Sequence, residues 1–311
     1  MRDWPQLRSL YSTSNYYVIP ELLEKKASLD VPEKQSRTIW LTVHAPGDAA
    51  PGLYQTNVEL LNASGLITTV PLQLRVLPFT LATPTDRYWG MYVTSGVRWG
   101  KMSDDAVRAE LLDMKLAGIN CLVYDLFGQT SPAIAVNKDD ASVAVTFTQL
   151  ERLQKLRREI EYPGPLVLYA GPRLEESLVR ARNEKVDSYF GPLPQMKDET
   201  FCTQFRSILT QLDAIMNRTG EVPGYVEWYF AGIDEPGVAV GRHERSLWEF
   251  QQAKQAGYKT WTTLHGEFSN TIAPYTDIPV FHRGWSVSDD ATNKARHQDT
   301  EKFKQQYWVY G

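Results

Sequence analysis

Two periodicities follow one another along the chain. From Arg37 to about Val76, large and polar residues alternate over short runs, and the connections between the runs carry Pro, Gly, Asn and Asp. Such alternation is typical of strands with one face in a core and the other in water, and these turn residues supply the backbone angles that tight connections need. We therefore predict an antiparallel β unit with strands in RTIWLTVHAP, GLYQTNVELL and LITTVPLQLRVL.

After a linker rich in Pro and Thr, short apolar runs alternate with segments whose apolar spacing of three and four predicts helices. The runs predict seven strands, in 88–95, 120–127, 165–171, 225–236, 259–264, 278–284 and 307–311. The helical segments are 103–120, 147–160, 199–220, 241–258 and 300–306. An inserted hairpin is predicted in 128–147, and a long loop between the third strand and the helix at 199.

Strands that alternate with helices favour a parallel sheet with right-handed crossovers, and a closed barrel needs eight of them. We predict a mixed α/β chain, with a small antiparallel β-sandwich domain over residues 1–82 and a (β/α)8 TIM-type barrel over 83–311. The barrel lacks its last unit, so we expect the chain to be a fragment. The alternative is an open doubly wound sheet, which the lack of a GxGxxG or Walker-type turn disfavours.

Composition narrows the classes of function. The 311 residues are 42% hydrophobic and 23% charged, and the formal charge of −4 comes without a large basic cluster. Nucleic acid is therefore not an expected partner. No run approaches the about 18 apolar residues that a membrane span needs, and the N-terminus lacks the apolar segment of a signal peptide.

The sequence also lacks the common metal and nucleophile motifs. We find no HExxH, no DxDxDG loop, no His/Cys cluster and no GxSxG, so we predict neither a metal nor a cofactor nor a serine-elbow hydrolase. Cys121 lies in an apolar run and Cys202 in a predicted helix, without the spacing of a metal or redox pair. We interpret both as buried thiols.

The sharpest chemical feature is Asp234-Glu235-Pro236, which ends an apolar strand and precedes a helix. The carboxyl ends of barrel strands form the active-site face, so two adjacent carboxyls there lie where chemistry is done. Glycosyl transfer uses one protonated carboxyl and one further negative group, and closeness pushes the two pKa values apart. The alternative is structural, with Asp234 capping the next helix and Glu235 in its first turn.

Several segments together resemble glycoside hydrolase family 123 and its relatives with the domain of unknown function 4091. They are the run Trp40–Leu61, RVLPF at Arg75–Phe79, the barrel opening at Tyr88 and the IDEP motif. The resemblance covers roughly residues 37–311, and IDEP is its specific part. It implies a β-sandwich ahead of a (β/α)8 barrel, and exo-cleavage of β-linked N-acetylgalactosamine with the substrate's own 2-acetamido group as nucleophile.

Carried over to this sequence, the resemblance makes Glu235 the general acid/base. It makes Asp234 the group that orients the acetamido nitrogen and stabilises the oxazolinium intermediate. An ordinary retaining enzyme would need a nucleophilic carboxylate about 5 Å across from the acid, and the seventh predicted strand ends without one. The partner implied is a carbohydrate or glycoconjugate, and analogy with such enzymes implies a location outside the cytoplasm.

Other residues at or just past predicted strand ends are candidates for lining a sugar pocket, with aromatic rings for stacking and polar groups for hydroxyls. They are Tyr92, Tyr124, Asp125, Tyr169, His265, His282, Arg283, Trp285 and Tyr310. Each could equally fill a barrel layer or pair with a neighbour. The acidic pairs Glu175-Glu176 and Asp289-Asp290 lie in polar surroundings, so we interpret them as solvated faces.

Three functions remain open from the sequence. The first is a retaining glycosidase that acts on terminal 2-acetamido sugars. The second keeps the fold and the chemistry but changes the sugar. The third is a catalytically inactive barrel that binds carbohydrate or acts as a scaffold.

Overall fold

The computed structural model divides the chain into two compact units, residues 1–84 and 85–311. It describes residues 2–3, 7–8, 16–17, 20–22, 26–81, 87–93, 99–126, 133–170, 172–187, 191–217, 227–236, 240–264, 269–282, 298, 300–306 and 308–310. Across these ranges, no helix is both long and apolar enough to pass through a bilayer.

The first unit is antiparallel β structure, as predicted. Two short strand pairs join β1 (Arg2–Asp3) to β4 (Pro20–Leu22) and β2 (Leu7–Arg8) to β3 (Tyr16–Tyr17). A long hairpin then pairs β5 (Gly52–Asn62) with β6 (Gly65–Val76). At its turn, Asn62 accepts a hydrogen bond from the Ser64 amide at 2.8 Å, and Gly65 takes a φ of 118° that favours glycine.

The strand predicted in RTIWLTVHAP is wrong. The structure gives these described residues no strand, and Ile39, Trp40 and Val43 are 60%, 72% and 50% exposed. Alternation of large and polar residues indicates which side of a strand could be buried. A strand also needs a neighbour for its backbone N–H and C=O groups, which the sequence pattern does not specify.

The second unit is built on one sheet of seven strands, all parallel to their neighbours. They are β7 (Gly90–Val93), β8 (Cys121–Asp125), β11 (Leu166–Tyr169), β12 (Trp228–Ala231), β13 (Thr260–Leu264), β14 (Ile278–His282) and β15 (Trp308–Tyr310). Their order in the sheet is their order along the chain. The described part of this unit is thus an incomplete TIM-type barrel, which confirms the predicted fold class.

The helices are α1 (Asp104–Leu116), α2 (Thr148–Glu159), α3 (Arg173–Ala181), α4 (Glu199–Asn217), α5 (Val240–Gln255) and α6 (Ser269–Ile272). Short 3-10 turns cover Trp99–Lys101, Pro194–Lys197 and Ala273–Tyr275. Helix α1 is capped by Ser103, whose Oγ accepts a hydrogen bond from the Ala106 amide at 3.3 Å. The inserted hairpin is confirmed, as β9 (Ala133–Val136) pairs antiparallel with β10 (Val143–Thr146).

Helix α3 lies where we predicted a long loop. Its Leu174, Leu178 and Val179 have helical spacing and are buried, but charged residues surround them in the sequence. The segment is therefore too short and too polar for its periodicity to stand out. This helix matters for the site, because it brings Glu175 and Glu176 into the interior.

The central barrel strands β8, β11 and β12 are buried on both faces, which explains why they form nearly continuous apolar runs in the sequence. One face packs against the helices through residues such as Leu122, Leu168 and Phe230. The other face forms the barrel interior, which contains Val123 and Trp261. Because successive side chains alternate between these faces, the strand position of a residue decides whether it can reach the site.

Candidate active site

The register of the parallel sheet places several candidates at one edge. Asp125 pairs with Tyr169 across the β8–β11 contact, and Tyr169 pairs with Ala231 across the β11–β12 contact. Asp234 follows Ala231 by three residues. The ends of three neighbouring strands therefore bring Asp125, Tyr169 and the Asp234-Glu235 turn to the same rim, where barrel enzymes carry their catalytic groups.

A threonine from the next strand fixes the Asp234-Glu235 turn. The hydroxyl of Thr263, on β13, donates a hydrogen bond to Asp234 Oδ1 and accepts one from the Glu235 amide at 3.0 Å. Thr263 is only 2% exposed, whereas Asp234 is exposed and Glu235 is half-buried. One buried hydroxyl thus holds a side chain and a backbone group of the turn while both carboxyls keep access to solvent.

Glu235 has a left-handed backbone, with φ at 46°. For a residue other than glycine this conformation costs on the order of 1–3 kcal/mol, and it persists only where the surroundings hold it. Here the Thr263 hydroxyl accepts a hydrogen bond from the amide of Glu235 itself. Strain of this kind is concentrated at functional sites, because it directs a side chain where regular structure would not.

Tyr169 lies close to this turn. Burial raises the pKa of its phenol, and the negative charge of Asp234 raises that pKa further, with smaller effects from Tyr92, Glu249 and Asp125. The phenol therefore stays protonated and can donate a hydrogen bond. The same interactions show that Asp234, Tyr92 and Asp125 share one electrostatic neighbourhood around Tyr169.

Tyr92, near the end of β7, presents an aromatic surface at the rim. It is 49% exposed, and its ring centroid lies 6.2 Å from that of Trp261 in an edge-on arrangement at 73°. Trp261 is 3% exposed and belongs to the barrel interior. The buried Trp261 supports the exposed Tyr92 ring, and such amphipathic rings are common in ligand pockets.

The remaining candidates fall into three groups. Tyr124 is 3% exposed and lies in the helix-facing core, with its ring 6.3 Å from that of Trp99, so the structure does not bring it to the barrel interior with Val123. The backbone of His282 is in register with that of Tyr310 at the ends of β14 and β15. His265, Arg283, Trp285 and the Asp289-Asp290 pair lie outside the described residues.

The interpretation of Glu175-Glu176 as a solvated face is wrong. The two residues are 0% and 1% exposed, because α3 turns them towards the interior. Glu176 pairs with Arg180 at 3.2 Å, and Glu175 Oε1 lies 3.8 Å from Arg245 Nε on α5. Two adjacent acids in a sequence do not reveal whether their side chains point to solvent or to the interior. That depends on the helix that carries them.

A third buried carboxyl lies directly beneath the candidate site. Glu249, on α5, is 0% exposed, and its Oε2 accepts a hydrogen bond from the Ile233 amide at 2.9 Å. A Cβ at Gly232 would lie 2.2 Å from the same oxygen. Burial raises the pKa of Glu249 well above its ordinary value, and the neighbouring Glu175 raises it further.

Sequence reasoning missed Thr263 and Glu249, although each carries a signal. Thr263 is a hydroxyl near the carboxyl end of a buried strand that follows the IDEP strand. Glu249 stands between Trp248 and Phe250 in the helix that follows that motif. A lone acid between large aromatics on a helix indicates a buried carboxyl with a specific partner.

Within the described ranges, no group of three or more His, Cys, Asp or Glu side chains is arranged to hold a metal ion. The chemistry that these residues offer is proton transfer and charge stabilisation by carboxyls. Hydrogen-bond donors from Tyr169 and an aromatic surface from Tyr92 add to it.

By sequence, the chain matches no protein-family profile and no curated protein. By structure, it is similar to a family 123 glycoside hydrolase from Clostridium perfringens whose structural analysis concerned glycolipid glycan hydrolysis, with a TM-score of 0.57 and 12% identity. That match covers 85% of this chain and 50% of the other, so this chain spans about half the length of that enzyme. The similarity shows a shared fold.

A family 39 glycoside hydrolase from the gut symbiont Bacteroides cellulosilyticus WH2 also matches. Its TM-score is 0.40 and its identity 13%, over 75% of this chain and 46% of the other. We rest no argument on a similarity at that level.

Proposed function

We propose that this chain carries the catalytic residues of a retaining glycoside hydrolase that releases terminal 2-acetamido sugars, of the β-N-acetylgalactosaminidase type. The observation that carries the proposal is the Asp234-Glu235 turn at the carboxyl end of a parallel barrel strand. Both side chains keep solvent access, and Thr263 holds the turn. The resemblance of the sequence to glycoside hydrolase family 123 and the shared fold support it.

In this proposal Glu235 donates a proton to the glycosidic oxygen as the bond from C1 to that oxygen breaks. The carbonyl oxygen of the substrate's 2-acetamido group attacks C1 and forms an oxazolinium ring. Glu235 then removes a proton from a water molecule, which attacks C1 and reopens the ring with retained configuration. Asp234 accepts a hydrogen bond from the acetamido N–H and opposes the positive charge that develops on the ring.

The local backbone supports a division of roles between adjacent residues. Consecutive side chains on an extended strand point to opposite sides, so neighbouring carboxyls would normally diverge. The left-handed conformation of Glu235 departs from that alternation. The Asp234 carboxylate accepts a hydrogen bond from the Thr263 hydroxyl, which suits a group that keeps a fixed position beside its neighbour.

The surrounding residues receive roles on the same proposal. Tyr169, whose phenol stays protonated beside Asp234, donates a hydrogen bond to the sugar or its acetamido oxygen. The exposed ring of Tyr92 stacks on a pyranose face. The further sugar contacts that we propose from strand-end position are Asp125, His265, His282, Arg283, Trp285 and Tyr310.

One observation favours a second candidate, a glycosidase of a different sugar that uses Asp125 as its second carboxyl. Tyr169 interacts with the charges of both Asp125 and Asp234. Asp125 lies two strands from β12, and two strand spacings of about 4.8 Å separate their backbones by roughly 10 Å. That separation suits an inverting pair better than a retaining pair, whose carboxyls lie about 5 Å apart.

Aryl glycosides distinguish these functions. We expect the purified protein to release nitrophenol from aryl β-N-acetylgalactosaminide and to be inhibited by a thiazoline analogue of the oxazolinium ring, which resembles the intermediate. Asp234→Asn and Glu235→Gln should strongly reduce release, by about 10²- to 10⁴-fold for Glu235→Gln, while Asp125→Asn should retain most of it. Turnover restricted to sugars without an acetamido group, lost in Asp125→Asn, would instead support the second candidate. Sugar binding without turnover would indicate an inactive barrel.

A further inference from the structure

The buried carboxyls of Glu249 and Glu175 have no part in the proposed chemistry, yet Glu249 contacts the segment that carries it. Glu249 lies on α5 and Glu175 on α3, and both are 0% exposed. The charge of Glu175 acts on Glu249 and raises its pKa, so the two carboxyls are neighbours in the interior. Ile233, whose amide Glu249 accepts, is the residue immediately before Asp234.

Three oxygens of this carboxyl pair are buried without a hydrogen-bond donor in the described part of the structure. They are Glu175 Oε1, Glu175 Oε2 and Glu249 Oε1. Two ionised carboxylates cannot hydrogen-bond each other, since both only accept. One proton on the pair supplies the missing donor and leaves one negative charge, as in other adjacent carboxyls.

Arg245 is the cation that faces this remaining charge. Its side chain is 0% exposed, its Nε lies 3.8 Å from Glu175 Oε1, and its Nη2 donates to the Pro172 carbonyl at 2.8 Å. Tyr169 lies close enough to Glu249 for the two to interact electrostatically. The pair is therefore enclosed by α3, α5 and β11, and it presents one acceptor oxygen, Glu249 Oε2, to the turn.

The contact between Glu249 and the turn is close and specific to glycine. A Cβ at Gly232 would lie 2.2 Å from Glu249 Oε2 and 3.2 Å from a ring carbon of Phe250. Only a residue without a side chain lets the Ile233 amide approach this oxygen to 2.9 Å. The glycine and the buried acid together form a seat for the backbone that leads into Asp234 and Glu235.

We propose that Glu249 is a positioning residue for the catalytic turn: its buried carboxyl, joined to Glu175, holds the Ile233 amide and thereby fixes the direction of the Asp234 and Glu235 side chains. This inference rests on the proposed function for its consequence in catalysis. The seating of the Ile233 amide stands by itself, and it can be measured without any substrate.

Two conservative substitutions of Glu249 test the inference. In Glu249→Gln the amide oxygen still accepts from Ile233, and the new NH2 group donates to Glu175 as the protonated carboxyl does. In Glu249→Asp the carboxyl is kept but is one methylene shorter, so it withdraws from the amide. We therefore expect the neutral variant to behave like the wild type and the charged variant to lose the contact.

The first readout is hydrogen exchange of the Ile233 amide. It should be about tenfold faster in Glu249→Asp, as expected for loss of one hydrogen bond, and close to wild type in Glu249→Gln. The second readout is turnover of the aryl glycoside. Glu249→Asp should lower kcat about 10- to 100-fold with a smaller change in KM, because misplaced catalytic groups affect the transition state most.

Glu176→Gln is the matched control. Glu176 is a buried acid on the same helix as Glu175, and it pairs with Arg180 and not with the turn. It should leave the exchange of Ile233 and kcat unchanged. The inference is overturned if Glu249→Asp leaves both readouts unchanged, if Glu249→Gln is as damaging as Glu249→Asp, or if the control matches them. If the wild type has no glycosidase activity, the proposed function is wrong. The hydrogen exchange of the Ile233 amide then still tests whether Glu249 holds this amide.

Discussion

Two pairs of carboxyls lie on either side of the Ile233 backbone, and the same chemical group has a different environment in each. Asp234 and Glu235 follow Ile233 and keep solvent access, whereas Glu175 and Glu249 lie beneath it with no exposed surface. The outer pair is held by a hydroxyl, that of Thr263. The inner pair holds a backbone amide. Carboxyls at the sheet edge can contact a substrate, whereas buried carboxyls can only position other residues. The difference comes from their location and not from their residue type.

The difference has an energetic side. An exposed carboxylate is solvated by water, so removing its charge costs the fold little. A buried carboxyl must be neutral, paired or hydrogen-bonded. Burial raises the pKa of Glu249, which also accepts a hydrogen bond from the Ile233 amide, and Glu175 lies 3.8 Å from Arg245. Substitutions in the outer pair should therefore change catalysis, and those in the inner pair should change stability and geometry.

Glu235→Gln breaks the comparison most strongly. Loss of a general acid typically lowers the rate about 10²- to 10⁴-fold, and we expect a fall of that order in kcat on an aryl β-N-acetylgalactosaminide. The free energy of unfolding should change by less than about 0.5 kcal/mol, as for surface substitutions. Denaturant titration alongside the kinetics checks both. A variant that unfolds easily, or one that turns over normally, would show that Glu235 belongs with the structural carboxyls.

Gly232→Ala should have the next largest effect, and on stability first. The new Cβ would lie 2.2 Å from Glu249 Oε2, and overpacking of this kind costs about 1–3 kcal/mol. The shorter acid in Glu249→Asp should relieve the clash, so the double variant should lose less than the sum of the two single variants. Additive losses in unfolding free energy would mean that the two residues do not share this contact.

Thr263→Val removes the hydroxyl that bridges Asp234 and Glu235 while keeping the shape of the side chain. We expect a loss of about 1 kcal/mol in stability, since the two freed groups can turn to water. The left-handed turn then loses the contact that fixes it, and kcat should fall by about tenfold. Thr262→Val is the control, because Thr262 is equally buried and, among the residues that the structure describes, its hydroxyl donates only to the Thr263 carbonyl, at 3.3 Å. Equal effects of the two substitutions would point to general loosening of β13.

The sequence was sufficient for the barrel strands and insufficient for the first unit. The central strands β8, β11 and β12 are short runs of large residues because both their faces are covered, and that signal does not depend on distant partners. The segment around Trp40 shows an equally regular alternation and forms no strand. Pairing is decided by a neighbour, and in this unit the pattern alone could not supply one.

The same limit explains what was predicted of the site. Asp234 and Glu235 could be found because their place at a strand end follows from local sequence. Thr263 and Glu249 reach the turn from another strand and another helix, so their roles exist only after folding. Tyr124 and Asp125 are adjacent in sequence, yet Tyr124 packs in the helix-facing core whereas Asp125 shares the neighbourhood of Tyr169.

The smallest effect we predict concerns the pH dependence of stability. The pKa of Glu249 is raised in the folded state by burial and by Glu175, so the folded protein binds this proton more tightly than the unfolded chain does. The stability that this proton contributes is complete below the ordinary glutamate pKa, and it is lost as the pH rises through the raised value. Glu249→Gln removes the titration and keeps the hydrogen bonds. The unfolding free energy of Glu249→Gln should therefore rise relative to that of the wild type as the pH rises above the ordinary glutamate pKa. Glu176→Gln should not show this change. Urea unfolding at a series of pH values measures the difference in unfolding free energy between the variant and the wild type. If this difference stays constant or shrinks as the pH rises, Glu249 is ionised in the folded protein, and the inner pair has no proton.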